Sequence, residues 1–327
     1  MSKFIGRRFN IGIGKESTRG LPVSASYWLP RTEMTFDEKI GQAKDESVLG
    51  VIENQTDASL VKKYSEGSLT GIINDDSFGL ILLSALGTVN TSGPSDSAYT
   101  HTFTVAQSAQ HQSLTFVVSE PNATGSSSLE FGLGVIDSLD IDFNVGEFPT
   151  YSLGFMTNIG SETSATVSYS APDNFRPQDG EVRIADVYSN LASATSYAVR
   201  SASLSISKNV EDDHNIGSVN VTDRLNKQFQ VTGSIEIVYD DREFIDDFLK
   251  ADLDRALQVK LTNTDKTIGA STNPSVTIKL AKVKFQEVAR TLGNDDIVKQ
   301  TLNFEGYYSI SDTKMLDIVL VNDVASY

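Results

Sequence analysis

A strand, a polar turn and a short apolar helix follow one another in the stretch Gly67-Ser-Leu-Thr-Gly-Ile-Ile-Asn-Asp-Asp-Ser-Phe-Gly-Leu-Ile-Leu-Leu83. A shift of 166 residues places this stretch on Gly233-Ser-Ile-Glu-Ile-Val-Tyr-Asp-Asp-Arg-Glu-Phe-Ile-Asp-Asp-Phe-Leu249. Both begin with Gly-Ser, both carry an aspartate (Asp75, Asp241) before the helix, and both open the helix with phenylalanine. Self-similarity at a long spacing is typical of a duplicated unit. The sequence therefore predicts one β-rich unit that occurs twice, although two unrelated β-rich domains would share some of these features.

Other matches keep the same order along the chain. They pair Met34 and Phe36 with Leu204 and Ile206, Ile141-Asp-Phe143 with Val283-Lys-Phe285, and Leu153-Gly-Phe155 with Leu302-Asn-Phe304. The shift falls from 166 to 142, so we expect about 24 extra residues in the first copy, as a loop or added hairpin at about 88–128. Pro172 and Pro177 interrupt strand pairing between the copies. We predict a first module at 1–172 and a second at 173–327.

Strict alternation of apolar and polar residues predicts strands with one buried face. Leu204 and Ile206 alternate with serines, and Val276, Ile278 and Leu280 alternate with Thr277 and Lys279. Such alternation favours half-solvated antiparallel sheets. The predicted fold class is mainly β, with two tandem β-sandwich or barrel modules, each with one short flanking α-helix.

Both helices have recognisable ends. Asp75-Asp76-Ser77 is a candidate cap for a helix that runs to Leu86 and stops at Gly87. Asp240-Asp241 is a candidate opening for the second helix, in which Phe244, Ile245, Phe248 and Leu249 form one apolar stripe.

The composition excludes several function classes. The 327 residues include no cysteine, three histidines, and 43 acidic against 27 basic residues, for a net charge of -16. Thiolate metal sites and cysteine nucleophiles are thereby excluded, and so acidic a chain is a poor binder of nucleic acid phosphates. The longest apolar run, residues 79–87, is too short to cross a bilayer, and Arg7-Arg8 lacks the apolar run of an export signal. We expect no membrane association and no signal-directed export.

Two motifs resemble ligand loops but lack key residues. Gly12-Ile-Gly14-Lys15 has Phe9 and Glu16 where a phosphate loop needs glycine and Ser or Thr. Asp140-x-Asp142-x-Asn144 lacks the glycine and glutamate of a calcium loop and fits strand alternation better.

No sequence pattern supports a catalytic role for the histidines or the acidic pairs. His101, His111 and His214 lie in separate polar contexts, and we expect surface imidazoles. Asp246-Asp247 is one of many acidic pairs, on the polar side of a helix. We therefore predict no catalytic, cofactor or metal site, and no enzyme activity.

A series of short motifs resembles the major tail tube proteins of long-tailed, siphovirus-like bacteriophages. The motifs are Gly14-Lys-Glu-Ser-Thr-Arg-Gly20, Tyr27-Trp-Leu-Pro30, Tyr64-Ser-Glu-Gly-Ser-Leu-Thr-Gly71 before the helix 78–86, Tyr99-Thr-His-Thr-Phe103, Ser113-Leu-Thr-Phe116, Gly134-Val-Ile-Asp-Ser-Leu139 and Val231-Thr-Gly-Ser-Ile235. They run nearly end to end, and their order carries the resemblance.

The resemblance implies a structural virion protein whose modules share strands with neighbours around a lumen. Stacked rings would then form the tail tube, the conduit for genome delivery. A two-module chain implies a homotrimeric, pseudo-sixfold ring, with a homohexamer as the alternative. Implied partners are a tape measure protein in the lumen, tail terminator and distal tail proteins at the ends, and DNA that passes without specific binding. The resemblance also implies that the protein assembles in the host cytoplasm and resides in the virion tail. The alternative function is a single β-sandwich binding or adhesion module without tube assembly.

Three finer hypotheses concern the assembly. In the first, the strand faces that point into the lumen carry an excess of Asp and Glu. The alternative is that the net charge serves only to keep the free subunit soluble. In the second, Asp140 and Asp142 of the first copy align with Lys282 and Lys284 of the second, and their opposite charges are complementary between neighbouring modules of the ring. The alternative is that both pairs lie on solvated outer faces. The polar, charged connections Lys44–Lys63 and Asn209–Asn226 would order on assembly and join ring to ring.

Overall fold

A computed structural model describes residues 3–122, 125–240, 242, 244–295 and 297–327, and it confirms the mainly β fold. The first half contains β1 (Asn10–Lys15), β2 (Tyr27–Trp28), β3 (Arg31–Asp45), β4 (Asp57–Ile72), helix α1 (Phe78–Leu86), β5 (Gly87–Ser95), β6 (Ala98–Val105), β7 (Leu114–Asn122), β8 (Gly125–Asn144), β9 (Thr150–Thr157) and β10 (Ser161–Thr163). The second half contains β11 (Gly180–Ala185), β12 (Ser196–Tyr197), β13 (Val199–Ser207), β14 (Glu211–Asp213), β15 (Asp223–Leu225), β16 (Gln230–Val238), a π-helix (Phe244–Lys250), β17 (Arg255–Thr262), β18 (Ser275–Thr291), β19 (Lys299–Tyr307) and β20 (Leu316–Asn322). Short 3-10 helices lie at Gly6–Arg8, Pro177–Asp179 and Tyr188–Asn190.

Eight antiparallel strands form the central sheet of the molecule, in the spatial order β3-β4-β9-β8-β13-β16-β19-β18. We call it the long sheet. Its middle pair is β8 with β13, where 138–144 lies against 201–207. This pair joins the two halves of the chain, four strands from each, and we call it the internal seam.

The two halves of the long sheet repeat each other in register. Gly67 lies opposite Phe155 in the β4–β9 pair, and Gly233 lies opposite Phe304 in the β16–β19 pair. The next core pairs, Leu69–Leu153 and Ile235–Leu302, follow at the same spacing. The predicted match of residues 153–155 with 302–304 therefore agrees with the strand pairing.

Two of the predicted matches are wrong. Gly67 pairs with Phe36 while Gly233 pairs with Leu204, so Leu204, and not Ile206, is the counterpart of Phe36. A shift of two residues leaves the alternation of buried and exposed residues unchanged, so the sequence pattern could not detect it.

The second error concerns β8 and β18, whose matched residues differ by 149 and not by 142. Ile136 opposes Phe155 as Phe285 opposes Phe304, and a β-bulge follows each, at Asp137 and Gln286. A bulge interrupts the two-residue period, so a local Ile-x-Phe pattern on either side of it does not fix the register.

The segment predicted to hold an insertion contains the β5–β6 hairpin. Strand β6 also pairs with β20 near the chain's C-terminal end. In the second half, β17 begins at Arg255, soon after the π-helix ends at Lys250.

The first helix ends as predicted but starts differently. Gly87 adopts a left-handed φ of 95°, and its N–H donates to the Leu83 carbonyl, which closes the helix. At the start, the Asn74 side-chain oxygen accepts from the N–H groups of Asp76 and Ser77, at 3.1 and 2.9 Å. Ser77, the last of the three predicted cap residues, holds the N-cap position, but its side chain makes no capping hydrogen bond, and Asn74 orders the turn before the helix instead.

The second helix is a π-helix and not the predicted α-helix. Its apolar stripe is present, because Phe244 and Phe248 are buried and the Phe248 ring lies 5.5 Å from that of Phe285 in β18. Asp241, proposed as part of its cap, lies outside the described residues.

Candidate functional site

The long sheet has one core face and one polar face. Phe36, Leu139, Leu204 and Phe304 point into the core, so their strand neighbours point to the opposite side. We call this side the polar face. It consists of the alternate residues that point away from the core in the strand segments 33–39, 64–70, 150–156, 138–144, 201–207, 230–236, 299–305 and 287–291. Its charged residues are the eight carboxylates Glu33, Asp37, Glu66, Asp140, Asp142, Glu236, Glu287 and Glu305 and the two lysines Lys39 and Lys299.

Both lysines on this face are already neutralised by carboxylates. Lys39 pairs with Glu66, which raises the pKa of Lys39, and Lys299 lies 3.6 Å from Glu236. Burial, and then the neighbouring charge of Asp140, raises the pKa of Asp142. The polar face therefore presents an excess of negative charge.

The two outer strands of the long sheet leave edges open. Within the described residues β3 has β4 as its one partner strand, and β18 pairs with β19 alone from Lys284 to Thr291. Open edges of this length are templates for pairing with another chain. Both edges repeat the strands of the internal seam, because β3 is the counterpart of β13 and the second half of β18 is the counterpart of the second half of β8.

Beyond the long sheet, β3 and β4 continue as a hairpin whose end, residues 46–56, we call the arm tip. Four apolar side chains are exposed there: Val48, Leu49, Val51 and Ile52, the last two being 59% and 102% exposed. The expectation of a polar, charged connection is therefore wrong for the arm tip. Exposed apolar clusters rimmed by polar residues mark interaction surfaces.

The corresponding connection of the second half, residues 208–229, lies against the first half. Arg224 is fully buried, forms an ion pair with Asp212 at 3.0 Å, and donates to the carbonyls of Leu133 and Thr157 at 3.1 and 2.8 Å. Arg19 adds an ion pair with Asp223 at 2.6 Å. The expectation that this segment orders only on assembly is wrong, because it has a binding site on its own chain.

A family model for phage tail tube proteins matches residues 6–306. The chain belongs to the phage tail tube protein family. The match spans both halves of the long sheet, and the family is a structural family whose members assemble into the tube of the phage tail. A search of curated proteins found no match. In the described parts of the chain, no helix has the length and hydropathy needed to cross a membrane.

In this tail tube protein the glycine-rich N-terminal motif has a packing role. Gly12 and Gly14 lie in β1, and a Cβ at Gly12 would come within 2.7 Å of Ala25. The buried Glu16 carboxylate accepts from Ser113 Oγ at 2.6 Å and from the N–H groups of Gly20 and Leu133 at 2.7 and 2.8 Å. Glu16 thus holds β1 to β7 and β8, a role that the sequence analysis missed.

Two of the three histidines are buried, which corrects the expectation of surface imidazoles. His101 Nε2 contacts Asn322 Oδ1 at 3.0 Å, and His111 contacts the carbonyls of Ala85 and Ala106. Burial lowers the pKa of both imidazoles. His214 is exposed.

The acidic residues considered for chemistry belong to two different elements, β8 and the π-helix. Asp140 and Asp142 belong to the polar face, and Asp246 and Asp247 are exposed on the π-helix. Hydrogen bonds from Arg242 and Lys250 lower the pKa of Asp246 to about 2.

The proposed complementarity of Asp140 and Asp142 with Lys282 and Lys284 does not agree with the register. The strand pairing matches Asp140 with Ala289. Lys282 and Lys284 form ion pairs with Asp254 and Asp252 of the same chain, at 2.6 and 2.8 Å.

Proposed function

We propose that three copies of this chain close into a pseudo-sixfold ring of six modules, and that the rings stack into the tube through which the phage genome is delivered. The modules are residues 1–172 and 173–327. The observation that carries the proposal is the internal seam: β8 and β13 already join two modules edge to edge, and β3 and β18 leave the matching edges open.

Ring closure follows from repeating the internal seam between chains. The long sheet of each chain has eight strands, so three chains would form a closed barrel of twenty-four strands without an open edge. A ring of this kind is a closed heterologous assembly, in which two different surfaces meet at each contact. The same step removes both edges that would otherwise promote aggregation.

The polar face would line the lumen of this barrel. Cationic side chains on a DNA path bind phosphates and release counterions, so they would retain the genome. A lining of carboxylates with two paired lysines repels DNA and supports its passage without specific binding. The same lumen would hold the tape measure protein before DNA enters.

Stacking would use the connections that leave the ring plane. The arm tip has four exposed apolar side chains, which an adjacent ring would bury. Residues 44–63, which include the arm tip, and the exposed parts of residues 209–226 are the proposed ring-to-ring contacts. Tail terminator and distal tail proteins would occupy the two ends of the stack. We place assembly in the host cytoplasm.

Native mass spectrometry and electron microscopy of the purified protein test the proposal. We expect rings or tubes with a central hole, and an isolated ring with the mass of three chains of 35.5 kDa. A ring of six chains would replace the trimer by the homohexamer. Discrete particles without a hole, at every concentration and in the presence of preformed tube ends, would instead favour a binding or adhesion module.

A further inference from the structure

We infer that β3 of one chain pairs antiparallel with β18 of the next in one fixed register, with Phe36 opposite Arg290 and Lys39 opposite Glu287. We call this contact the external seam. The inference rests on the proposed ring, and it adds the residues that close it.

The register follows from two correspondences between strands of the two halves. Phe36 corresponds to Leu204, because each lies opposite the matching glycine, Gly67 or Gly233. Arg290 corresponds to Ile141, because both strands of the β8–β9 pair match β18 and β19 at a spacing of 149. In the internal seam Leu204 lies directly opposite Ile141. The same geometry between chains places Phe36 opposite Arg290.

The backbone irregularities support this register. A bulge between Val199 and Ser201 in β13 has its counterpart between Arg31 and Glu33 in β3. The edge strands β3 and β18 therefore bend at the same positions as their counterparts β13 and β8. Edges with matching bends can adopt the pairing of the internal seam.

On the polar face the external seam places opposite charges together. Lys39 and Glu287 take the positions that Ser207 and Ser138 occupy in the internal seam. Directly opposed charges of opposite sign stabilise an antiparallel pair. In the single chain Lys39 contacts Glu66 of the inner neighbour β4, and Glu287 accepts from Asn303 Nδ2 of the inner neighbour β19 at 3.0 Å.

The other side chains of the external seam are also compatible. Thr35 meets Thr291 on the polar face, a pair that hydrogen-bonds across strands. On the core face Met34 meets Leu292, which is 69% exposed in the single chain and would be covered. Glu38 lies diagonal to Arg290, so a second pair of opposite charges crosses the seam.

Because the chain has no cysteine, disulfide trapping can test the register directly. The variant Thr35→Cys/Thr291→Cys places two thiols in directly opposed positions of the external seam, where Cβ atoms are close enough to bond. Ser203→Cys/Asp142→Cys is the matched control at the same position of the internal seam. In Thr35→Cys/Ala289→Cys the second cysteine lies two residues from position 291 on the same strand face, so this variant tests a register that has slipped by two residues.

We expect oxidised tubes of the first variant to run as covalent dimers and trimers on a denaturing, non-reducing gel. The internal control should form a disulfide within a single chain, and the slipped pair should give at least several-fold less linked product. A second registered pair, Asp37→Cys/Ala289→Cys, guards against a variant that fails to fold. Tubes that form without linkage at both registered pairs, or with equal linkage at the slipped pair, would overturn the inference while the proposed ring stands. Wild-type chains that never form rings would instead contradict the proposed function.

Discussion

Gly233 lies directly opposite Phe304 in the long sheet, and the Phe304 ring fills the space above the glycine. A Cβ at residue 233 would lie 2.4 Å from a carbon of that ring and 2.3 Å from the Ser203 carbonyl oxygen. Gly67 and Phe155 repeat the arrangement, with corresponding distances of 2.9 Å and, to the Thr35 carbonyl oxygen, 2.4 Å. The glycine at the first position of both matched stretches, Gly67 and Gly233, is therefore required by packing.

Gly233→Ala should lower the free energy of unfolding by about 1–3 kcal/mol, because the added methyl overpacks a site bounded by backbone. Urea denaturation of the unassembled chain measures this change. Gly6→Ala is the control, since a Cβ there meets nothing within 4 Å. Equal stability of the two variants would contradict the packing role.

Exchange of the charges at the external seam should affect assembly more than folding. Lys39→Glu and Glu287→Lys should each reduce tube formation at least several-fold, because each places like charges opposite one another. The double variant restores opposite signs and should recover assembly. Sedimentation of tubes and thermal unfolding of the free chains separate the two effects. Lys299→Glu is the control, since Lys299 lies on the same face in an inner strand. Loss of assembly in the double variant equal to that in the single variants would contradict the pairing.

The buried Arg224 should be essential for docking of residues 208–229. Arg224→Ala leaves the carbonyls of Leu133 and Thr157 without their buried cation and leaves Asp212 with Lys62 as its ion-pair partner, so we expect about 3–5 kcal/mol of destabilisation. Hydrogen exchange should show faster exchange in this segment. The control Arg242→Ala removes an exposed partner of Asp246 and should change stability little. Unchanged exchange in 208–229 would contradict the docking role of Arg224.

The alternation of residues was sufficient to predict the strands and the core faces, but it could not predict which strands become neighbours. Gly87 and the Phe244–Phe248 stripe were predictable because their causes are local. Arg224 and His101 were not, because their partners at Thr157 and Asn322 are distant in sequence. The open edges of the long sheet were also beyond prediction, since a half-buried strand has the same pattern at an edge as inside a sheet.

Lys208 should make stability depend on pH in the alkaline range. Its ammonium is fully buried and donates to the Ser84 carbonyl at 2.9 Å. Burial lowers its pKa from 10.5 to about 7, with Asp137 opposing and Arg19 reinforcing the shift. Between these values the unfolded chain holds a proton that the folded chain has released. The unfolding free energy therefore rises with pH from about 7 to 10, by ~1.4 kcal/mol per pH unit.

The variant Lys208→Met isolates this contribution. The difference in unfolding free energy between the wild type and the variant should rise with pH over that window and level off above it, because both states are then neutral. Urea denaturation at several pH values measures it. A difference that stays constant from pH 7 to 10 would show that Lys208 keeps its proton in the folded chain.

The arm tip should control stacking without affecting ring closure. Leu49→Ser/Ile52→Ser removes apolar surface that only an adjacent ring would bury, so we expect isolated rings of normal mass and at least several-fold fewer tubes. Electron microscopy counts rings and tubes in the same sample. Val145→Ser, at an exposed apolar position after β8, is the control and should leave tubes intact. The external seam is formed by other residues. Charge variants at Lys39 should therefore lose rings as well as tubes, whereas the arm variant should lose tubes alone. Normal tubes from the arm variant would remove the tip from the stacking contact and leave ring closure unaffected.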